Sequence, residues 1–432
     1  MNDSKLNRRA LGLAAIGTSA ALYAGTRGCS VEPSASRPPA GNPRWSVEAA
    51  TKLRNRQELA YVDLGKRLGL GDDPMTVYRA LASGRMPSEW ISPVKFRSMP
   101  GASPLRGAPS SDAERAIADY SARYGNVTPP TPYEDPNLYA ILLEMSDKIE
   151  AALKTRNLPT PARLILGTLP TNTLAASSIA LPATHEHIVL FESGLFDFAF
   201  RMSKIAALVF PPIDPGTGWF SKDVDLDRGV EEHPEVLDEL QATLYAYLVQ
   251  GDPRRAPSPT IADRHVMTAA TLLRSLELFV LGHEYGHIVA SHSDDVGPNP
   301  SADATIRYDW DDEYGADSVG VSLMAAVMGD FPLAFWGAVH WFSCQEVFDR
   351  CRAILANGAY DPKVVSPTHP PNLARSRQLR VVVRELRPGP ETEQAIRLAD
   401  QVDSFLSRLW QVSEPYWVEM HQQGKRPAVI WQ

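Results

Sequence analysis

The sequence has few cysteines, and none is arranged as disulfide-rich domains or thiolate zinc sites require. Only three occur in 432 residues, Cys29, Cys344 and Cys351, and none forms part of a Cys-x-x-Cys pair. Cys344 and Cys351 fall in one predicted helix, about 10 Å apart along its axis, which exceeds the span of a disulfide. We therefore expect small buried free thiols at these two positions and no cysteine metal site.

Long apolar runs and a basic excess are also missing. After residue 30 no run reaches the ~18 uninterrupted apolar residues that read as a membrane-spanning helix. The 43 Lys and Arg residues are outnumbered by 51 Asp and Glu, giving a formal net charge of −8. Since the arginines are scattered over predicted helices, nucleic acid is not an expected partner. Hydrophobic residues at 44% and charged residues at 22% are ordinary for a folded chain with a large core.

The amino terminus differs in kind from the rest of the chain. Lys5, Arg8 and Arg9 precede a mildly apolar stretch over 10–25, and a Pro- and Ser-rich segment follows. This order predicts that residues 1–28 are an export signal or a membrane anchor and that residues 29–44 are a linker. We therefore expect an exported or membrane-anchored protein of a bacterial periplasm or envelope, with a cytoplasmic protein as the alternative.

The most informative pattern is His283-Glu284-Tyr285-Gly286-His287, inside a predicted helix over 261–292. Positions i and i+4 share one helix face, so the two imidazoles can bind one metal ion. Glu284 is rotated by about 100° from His283, which keeps its carboxylate off the metal but within reach of a water on it, as a general base. The pattern predicts a catalytic Zn²⁺ site. A core helix whose histidines are merely buried is the alternative.

Two histidines leave a catalytic zinc one protein ligand short, and a second acidic helix downstream offers it. That helix is predicted from Trp310 to Met328, and its Glu313 and Asp317 are four residues apart on one face. Glu313 is the predicted third ligand, and Asp317 is predicted to accept the free N–H of a ligand imidazole. Asp311 is a minor alternative ligand, and an acidic helix cap without any metal is the simpler interpretation. His292 does not stand where a third histidine ligand of a metzincin would.

At this point the chain resembles the gluzincin metallopeptidases, and among them the family of the CAAX prenyl protease and the heat-shock-type membrane zinc endopeptidases. Three pieces match in order: His283-Glu284-x-x-His287, then Glu313-x-x-x-Asp317, then Thr368-His369-Pro370-Pro371 with Arg375 downstream. The resemblance implies that His369 binds the substrate carbonyl oxygen or stabilises the oxyanion, although a turn histidine before a helix start fits equally. It also implies that an edge strand beside the zinc, equivalent to 188–191 here, pairs with an extended substrate.

The resemblance and the hydrophobic periodicity together give the expected organisation. The fold should be mainly α, in the α+β class, with a zincin-like core that contains the active-site helix and a small mixed or antiparallel sheet. The core is expected over 161–385, with strands at 162–167, 171–175 and 187–191, and an insertion over 209–260 that either caps the cleft or decorates the surface. Helices are expected on both sides, over 45–160 (47–68, 112–124 and 136–156) and over 386–432 (390–409 and 414–423).

The function predicted from these residues is a zinc-dependent metalloendopeptidase that acts on a protein or peptide substrate, with Glu284 as its base. Two alternatives remain at this point. One is a zinc hydrolase of a non-peptide amide or ester, since the same residues activate water for either. The other is a non-enzymatic binding protein that a metal stabilises, although a structural site has no use for a base beside an open position.

Overall fold

The computed structural model describes residues 45–82, 128–214, 219–291, 310–361 and 369–428, apart from positions 159, 162, 222, 257, 258 and 260. Within these ranges the chain is mainly helical and contains a small three-stranded mixed sheet, which confirms the predicted fold class. The predicted signal or anchor, the linker, the helix over 112–124 and His292 lie outside the described residues.

The helices and strands follow in the order below. The helices are α1 (Val47–Leu68), α2 (Pro74–Ala82), α3 (Pro136–Thr155), α4 (Ser193–Val209), α5 (Leu226–Glu232), α6 (Glu235–Leu248), α7 (Asp263–Ser291), α8 (Trp310–Met328), α9 (Phe331–Asn357), α10 (Asn372–Leu386) and α11 (Pro390–Gln422). The strands, which lie between α3 and α4, are β1 (Leu164–Leu169), β2 (Ala176–Leu181) and β3 (Glu186–Glu192).

The sheet has the order β1-β3-β2, with β1 parallel and β2 antiparallel to β3. This order corrects two expectations. The second strand is β2, and the segment 171–175 that was predicted in its place only leads into it. The segment 188–191 belongs to the central strand β3, which has a partner on each side, so it is not an edge strand. The edge strand next to α7 is β2.

Helices cover both faces of the sheet. Leu166, Val189 and Phe191 face the main hydrophobic core, which reaches from Leu138 in α3 to Trp417 in α11. The other face packs against α1 through a smaller cluster with Ala49 and Leu53 of that helix (Ile165, Leu181, Ile188 and Leu190 on the sheet side). The helices on either side of 161–385 are therefore joined to that region by buried apolar contacts, which is the packing that apolar helix faces require.

The central layer of the molecule is made of long helices that are apolar nearly all round. Helix α7 packs against α8, α9, α4 and β2, so it is enclosed on several sides. By length and composition the stretch Asp263–Val289 could also cross a membrane, and 83% of its most apolar window is buried inside the protein. Cys344 and Cys351, on α9, are buried free thiols, as predicted.

Two further parts of the chain differ from expectation or decide between alternatives. The two predicted C-terminal helices are one helix, α11, which continues through Pro415. A proline inside a helix removes one main-chain hydrogen bond and crowds the preceding turn, which costs about 3 kcal/mol. Trp410 and Trp417 on either side are buried in the core, and this packing offsets the cost. In the segment 209–260, α6 packs against α4 and α9 and contributes to the main core, so this part of the insertion is no surface decoration.

Candidate metal centre

Helices α7 and α8 bring two imidazoles and one carboxylate to a shared point. His283 Nε2 lies 3.1 Å from His287 Nε2. Glu313 places Oε2 at 3.5 Å from His283 Nε2 and Oε1 at 3.5 Å from His287 Nε2. All three residues are buried, and one ligand atom from each lies within 4.8 Å of the others. The convergence of the two helices, on which the predicted zinc site depended, is therefore present.

Glycines make this convergence sterically feasible. A Cβ on Gly286 would lie 2.7 Å from Ala316 Cα and 2.8 Å from Ala316 O. One turn away, a Cβ on Gly320 would lie 2.9 Å from His283 N. Real Cβ atoms do not approach main-chain atoms so closely, so side chains here would force the helices apart. The glycine inside the histidine motif thus sets the distance between the imidazoles and the Glu313 helix.

Asp317 and Arg375 contact two of the candidate ligands, His283 and Glu313. Asp317 Oδ1 lies 2.9 Å from His283 Nδ1, the contact that the spacing of Glu313 and Asp317 led us to expect. Arg375, on α10, donates from Nε to Asp317 Oδ2 at 2.8 Å and from Nη2 to Asp317 Oδ1 at 2.6 Å. The same Nη2 lies 3.3 Å from Glu313 Oε2. Asp317 fixes the proton of His283 on Nδ1, so that Nε2 presents its lone pair to the shared point.

The ionisable groups of the site carry an excess of negative charge. Glu284, Glu313 and Asp317 are buried carboxylates, and Arg375 is the buried guanidinium among them. Burial alone raises the pKa of Glu313, but its hydrogen bond with His287 and the charges of His283 and Arg375 outweigh burial, so its pKa is lowered. The pKa of Asp317 is lowered likewise, against the effect of burial, by Arg375. Both carboxylates are therefore ionised at neutral pH.

The two remaining groups shift toward proton uptake. Burial raises the pKa of Glu284, and the charges of His283 and His287 offset that only in part. Burial by itself lowers the pKa of His283, but the hydrogen bond and charge of Asp317 raise it above its ordinary value. The metal-free site therefore holds protons more readily than these two side chains would in water.

Glu284 contacts Ser178, a residue that was not predicted to belong to the site. The hydroxyl of Ser178, on β2, hydrogen-bonds its carboxylate. Ser178 is a buried residue and pairs with Val189, which faces the main core. No motif marks Ser178, and the second strand was predicted several residues too early, so nothing in the sequence placed this hydroxyl beside Glu284.

The other residues considered for the site fall outside the ligand cluster. His369 Nε2 lies 3.6 Å from Glu313 Oε1, and its side chain is 56% exposed, so the imidazole stands at the mouth of the site. Asp311 is exposed at the start of α8, whereas Glu313 turns inward. Glu313, not Asp311, is thus the acid that the structure brings to the histidines.

The donor set fits a zinc ion. Ligand atoms bound at ~2.0–2.2 Å in a tetrahedron lie ~3.3–3.6 Å apart. Here the two imidazole nitrogens are 3.1 Å apart, and each lies 3.5 Å from a different oxygen of Glu313. Glu313 Oε2 is buried and accepts no well-formed hydrogen bond from the described residues, although Arg375 Nη2 forms an ion pair with it at 3.3 Å. Two imidazoles and one carboxylate form a ligand set of catalytic zinc, with a fourth position left for water or substrate.

Comparison of the chain with protein-family models, curated proteins and solved structures gave no match.

Proposed function

We propose that this protein is a zinc-dependent metalloendopeptidase of the gluzincin type, with His283, His287 and Glu313 as the metal ligands. One observation carries the proposal: in the part of the chain that the structure describes, the buried cluster holds three carboxylates and one guanidinium around two imidazoles whose Nε2 atoms share a point with Glu313. Burying unmatched charge is unfavourable by several kcal/mol or more. With Glu284 ionised and both imidazoles neutral, as metal binding requires, these residues carry two excess negative charges, which a divalent cation at the shared point matches.

The groups around the cluster have the chemistry that hydrolysis requires. Zinc held by the three ligands supplies Lewis-acid chemistry, which polarises a carbonyl oxygen and activates water. The Glu284 carboxylate accepts a proton from the attacking water and passes it to the leaving nitrogen of the peptide. Its raised pKa suits this exchange, because a base with a pKa nearer neutrality both takes and returns a proton. His369, at the exposed mouth, donates a hydrogen bond to the carbonyl oxygen of the substrate.

The free edge of β2 is the surface on which we expect an extended substrate to bind. In the described part of the chain no strand pairs with that edge. Glu192 N donates to Ala175 O at 3.1 Å, which marks 175 and 192 as a hydrogen-bonded pair. Because such pairs alternate with non-hydrogen-bonded ones, Ala176, Ser178 and Ala180 direct their main-chain N–H and C=O away from β3. These groups are available to pair with a peptide main chain.

The proposal is tested by metal analysis of the purified protein together with digestion of casein and a peptide library, with and without a chelator. We expect about one zinc per chain and cleavage that the chelator abolishes and added zinc restores. Parallel assays with simple ester and non-peptide amide substrates test the other hydrolase chemistry.

Two variants assign the roles within the site. Glu284→Gln should keep the metal and lose turnover by about 10²–10⁴-fold, because the amide cannot accept the proton. His283→Ala should lose both metal and turnover. Wild-type cleavage by Glu284→Gln would remove this residue from the mechanism, and a protein that purifies without metal and cleaves regardless of chelator would refute the zinc proposal itself.

A further inference from the structure

The edge strand and the general base meet at a single residue, Ser178. Its side chain is on the sheet face that packs against the main core, where β2 contacts α7. Its hydroxyl donates to the Glu284 carboxylate. Since it occupies a non-hydrogen-bonded position of the ladder, its main-chain N–H and C=O point along the sheet to the free edge. The side chain of Ser178 therefore contacts the proposed base, Glu284, and its main chain lies at the free edge of β2, where we expect the substrate to bind.

We propose that Ser178 is a positioning residue that orients the Glu284 carboxylate for proton transfer and couples that orientation to the substrate bound along β2. This inference rests on the proposed peptidase function and adds a residue to it.

The physical reason lies in the freedom of a glutamate side chain. The terminal torsion of Glu is broad, so helix geometry alone does not determine where its two oxygens point. A hydroxyl that donates to one oxygen leaves the other free and fixes the carboxylate plane. General-base catalysis depends on this orientation, because the accepting oxygen must lie within hydrogen-bond reach of the water it deprotonates. The hydroxyl comes from β2 rather than from α7 itself. The position of the Glu284 carboxylate is therefore fixed relative to the strand that we expect to bind the substrate.

Neighbouring Ser177 provides a matched control. It is exposed, lies on the same strand and pairs with Leu190, whose side chain belongs to the cluster under α1 on the opposite sheet face. Ser177→Ala thus makes the same chemical change in the same strand without touching Glu284. Ser178→Thr keeps a hydroxyl at the position, and Ser178→Ala removes it with little change in volume.

The test measures kcat and KM for one peptide substrate in all four proteins, together with zinc affinity by competition with a chromophoric chelator. For Ser178→Ala we expect kcat to fall about tenfold, as expected for the loss of one hydrogen bond to a charged group, with KM and zinc affinity unchanged. Ser178→Thr should recover most of kcat, and Ser177→Ala should match the wild type. A crystal structure of Ser178→Ala should contain a rotated or disordered Glu284 carboxylate.

Each other outcome has a definite meaning. If Ser178→Ala keeps wild-type kcat, or if its carboxylate stays in place, the positioning role is wrong while the peptidase proposal stands. If Ser178→Ala loses zinc affinity or thermal stability in proportion to kcat, Ser178 has a structural role only, and the inference is again overturned. If the wild type neither binds zinc nor cleaves peptides, the proposed function fails, and this is recognised before any variant is compared.

Discussion

Replacing Gly286 with alanine should separate the zinc ligands without removing any of them. A Cβ at this position would lie 2.7 Å from Ala316 Cα, 2.8 Å from Ala316 O and 3.1 Å from Ala316 C. All three are main-chain atoms of α8, so no side-chain rotation relieves the contact. To restore an ordinary carbon–carbon separation of about 3.5–4.0 Å from 2.7 Å, α8 must move away from α7 by roughly 0.8–1.3 Å.

That movement is large compared with what a zinc site tolerates. Glu313 lies one turn before Ala316 and moves with it, whereas the histidines stay on α7. Zinc–ligand distances tolerate about ±0.2 Å, so the carboxylate would bind poorly or not at all. We expect zinc affinity to fall by about 10–100-fold, as it does when the support of a ligand is lost. Overpacking should also destabilise the metal-free protein by about 1–3 kcal/mol, partly offset by the ~1 kcal/mol gained in helix propensity.

Gly315→Ala is the matched control, because it adds the same methyl group one residue before Ala316. Its Cβ would have nothing within 4 Å, so this variant should keep wild-type zinc affinity and gain up to about 1 kcal/mol from helix propensity. Zinc affinity is measured by competition with a chromophoric chelator, and stability by thermal unfolding of the metal-free proteins. If Gly286→Ala bound zinc as tightly as Gly315→Ala, the close approach of α7 and α8 would not be what positions Glu313, and the reasoning would be wrong.

Two further predictions concern the groups behind the ligands. Asp317→Asn should lower zinc affinity by about 10–100-fold, because a neutral amide is a weaker acceptor for the Nδ1 proton of His283 and no longer neutralises Arg375 beside Glu313. Equal affinity in a chelator competition would contradict this role. Zinc affinity should also fall as the pH is lowered, since the raised pKa values of His283 and Glu284 make the metal-free site hold protons that zinc must displace. Calorimetry in buffers of different ionisation enthalpy should detect the release of these protons on zinc binding. A zinc affinity that does not change between about pH 5 and 8 would refute the prediction.

The ends of the two helices of the site could be predicted closely because the sequence of each helix contains the features that define it. Helix α8 begins at Trp310 and ends at Met328 in both the prediction and the structure. Helix α7 begins at Asp263, two residues after its predicted start, and is described as far as Ser291. Hydrophobic periodicity and an acidic first turn are local features, so a single sequence contains them. The spacing of four residues likewise predicts that Glu313 and Asp317 lie on one face of α8, and from this the contact between Asp317 and a ligand imidazole could be predicted.

What the sequence missed depends on contacts between distant segments. Arg375 pairs with Asp317 across 58 residues, and nothing local states which acid a buried arginine will meet. Strand β2 is Ala-Ser-Ser-Ile-Ala-Leu, which has one β-branched residue, Ile179, and no aromatic residue, so little in its composition favours strand assignment. It becomes a strand because β3 pairs with it. Two C-terminal helices were predicted with a break at 410–413, yet the buried Trp410 and Trp417 keep α11 continuous through this segment.

Glu284 is the residue that separates a catalytic site from a structural one in physical terms. A metal held only for stability needs His283, His287 and Glu313, and one further carboxylate buried beside them adds a desolvation cost of several kcal/mol without adding a ligand. Its raised pKa is the direct sign of that cost. Alanine or leucine at this position would stabilise the metal-bound fold more effectively. Proton transfer, by contrast, requires a buried glutamate beside the metal, and for this reason Glu284 supports the proposed hydrolase over a protein that only stores metal.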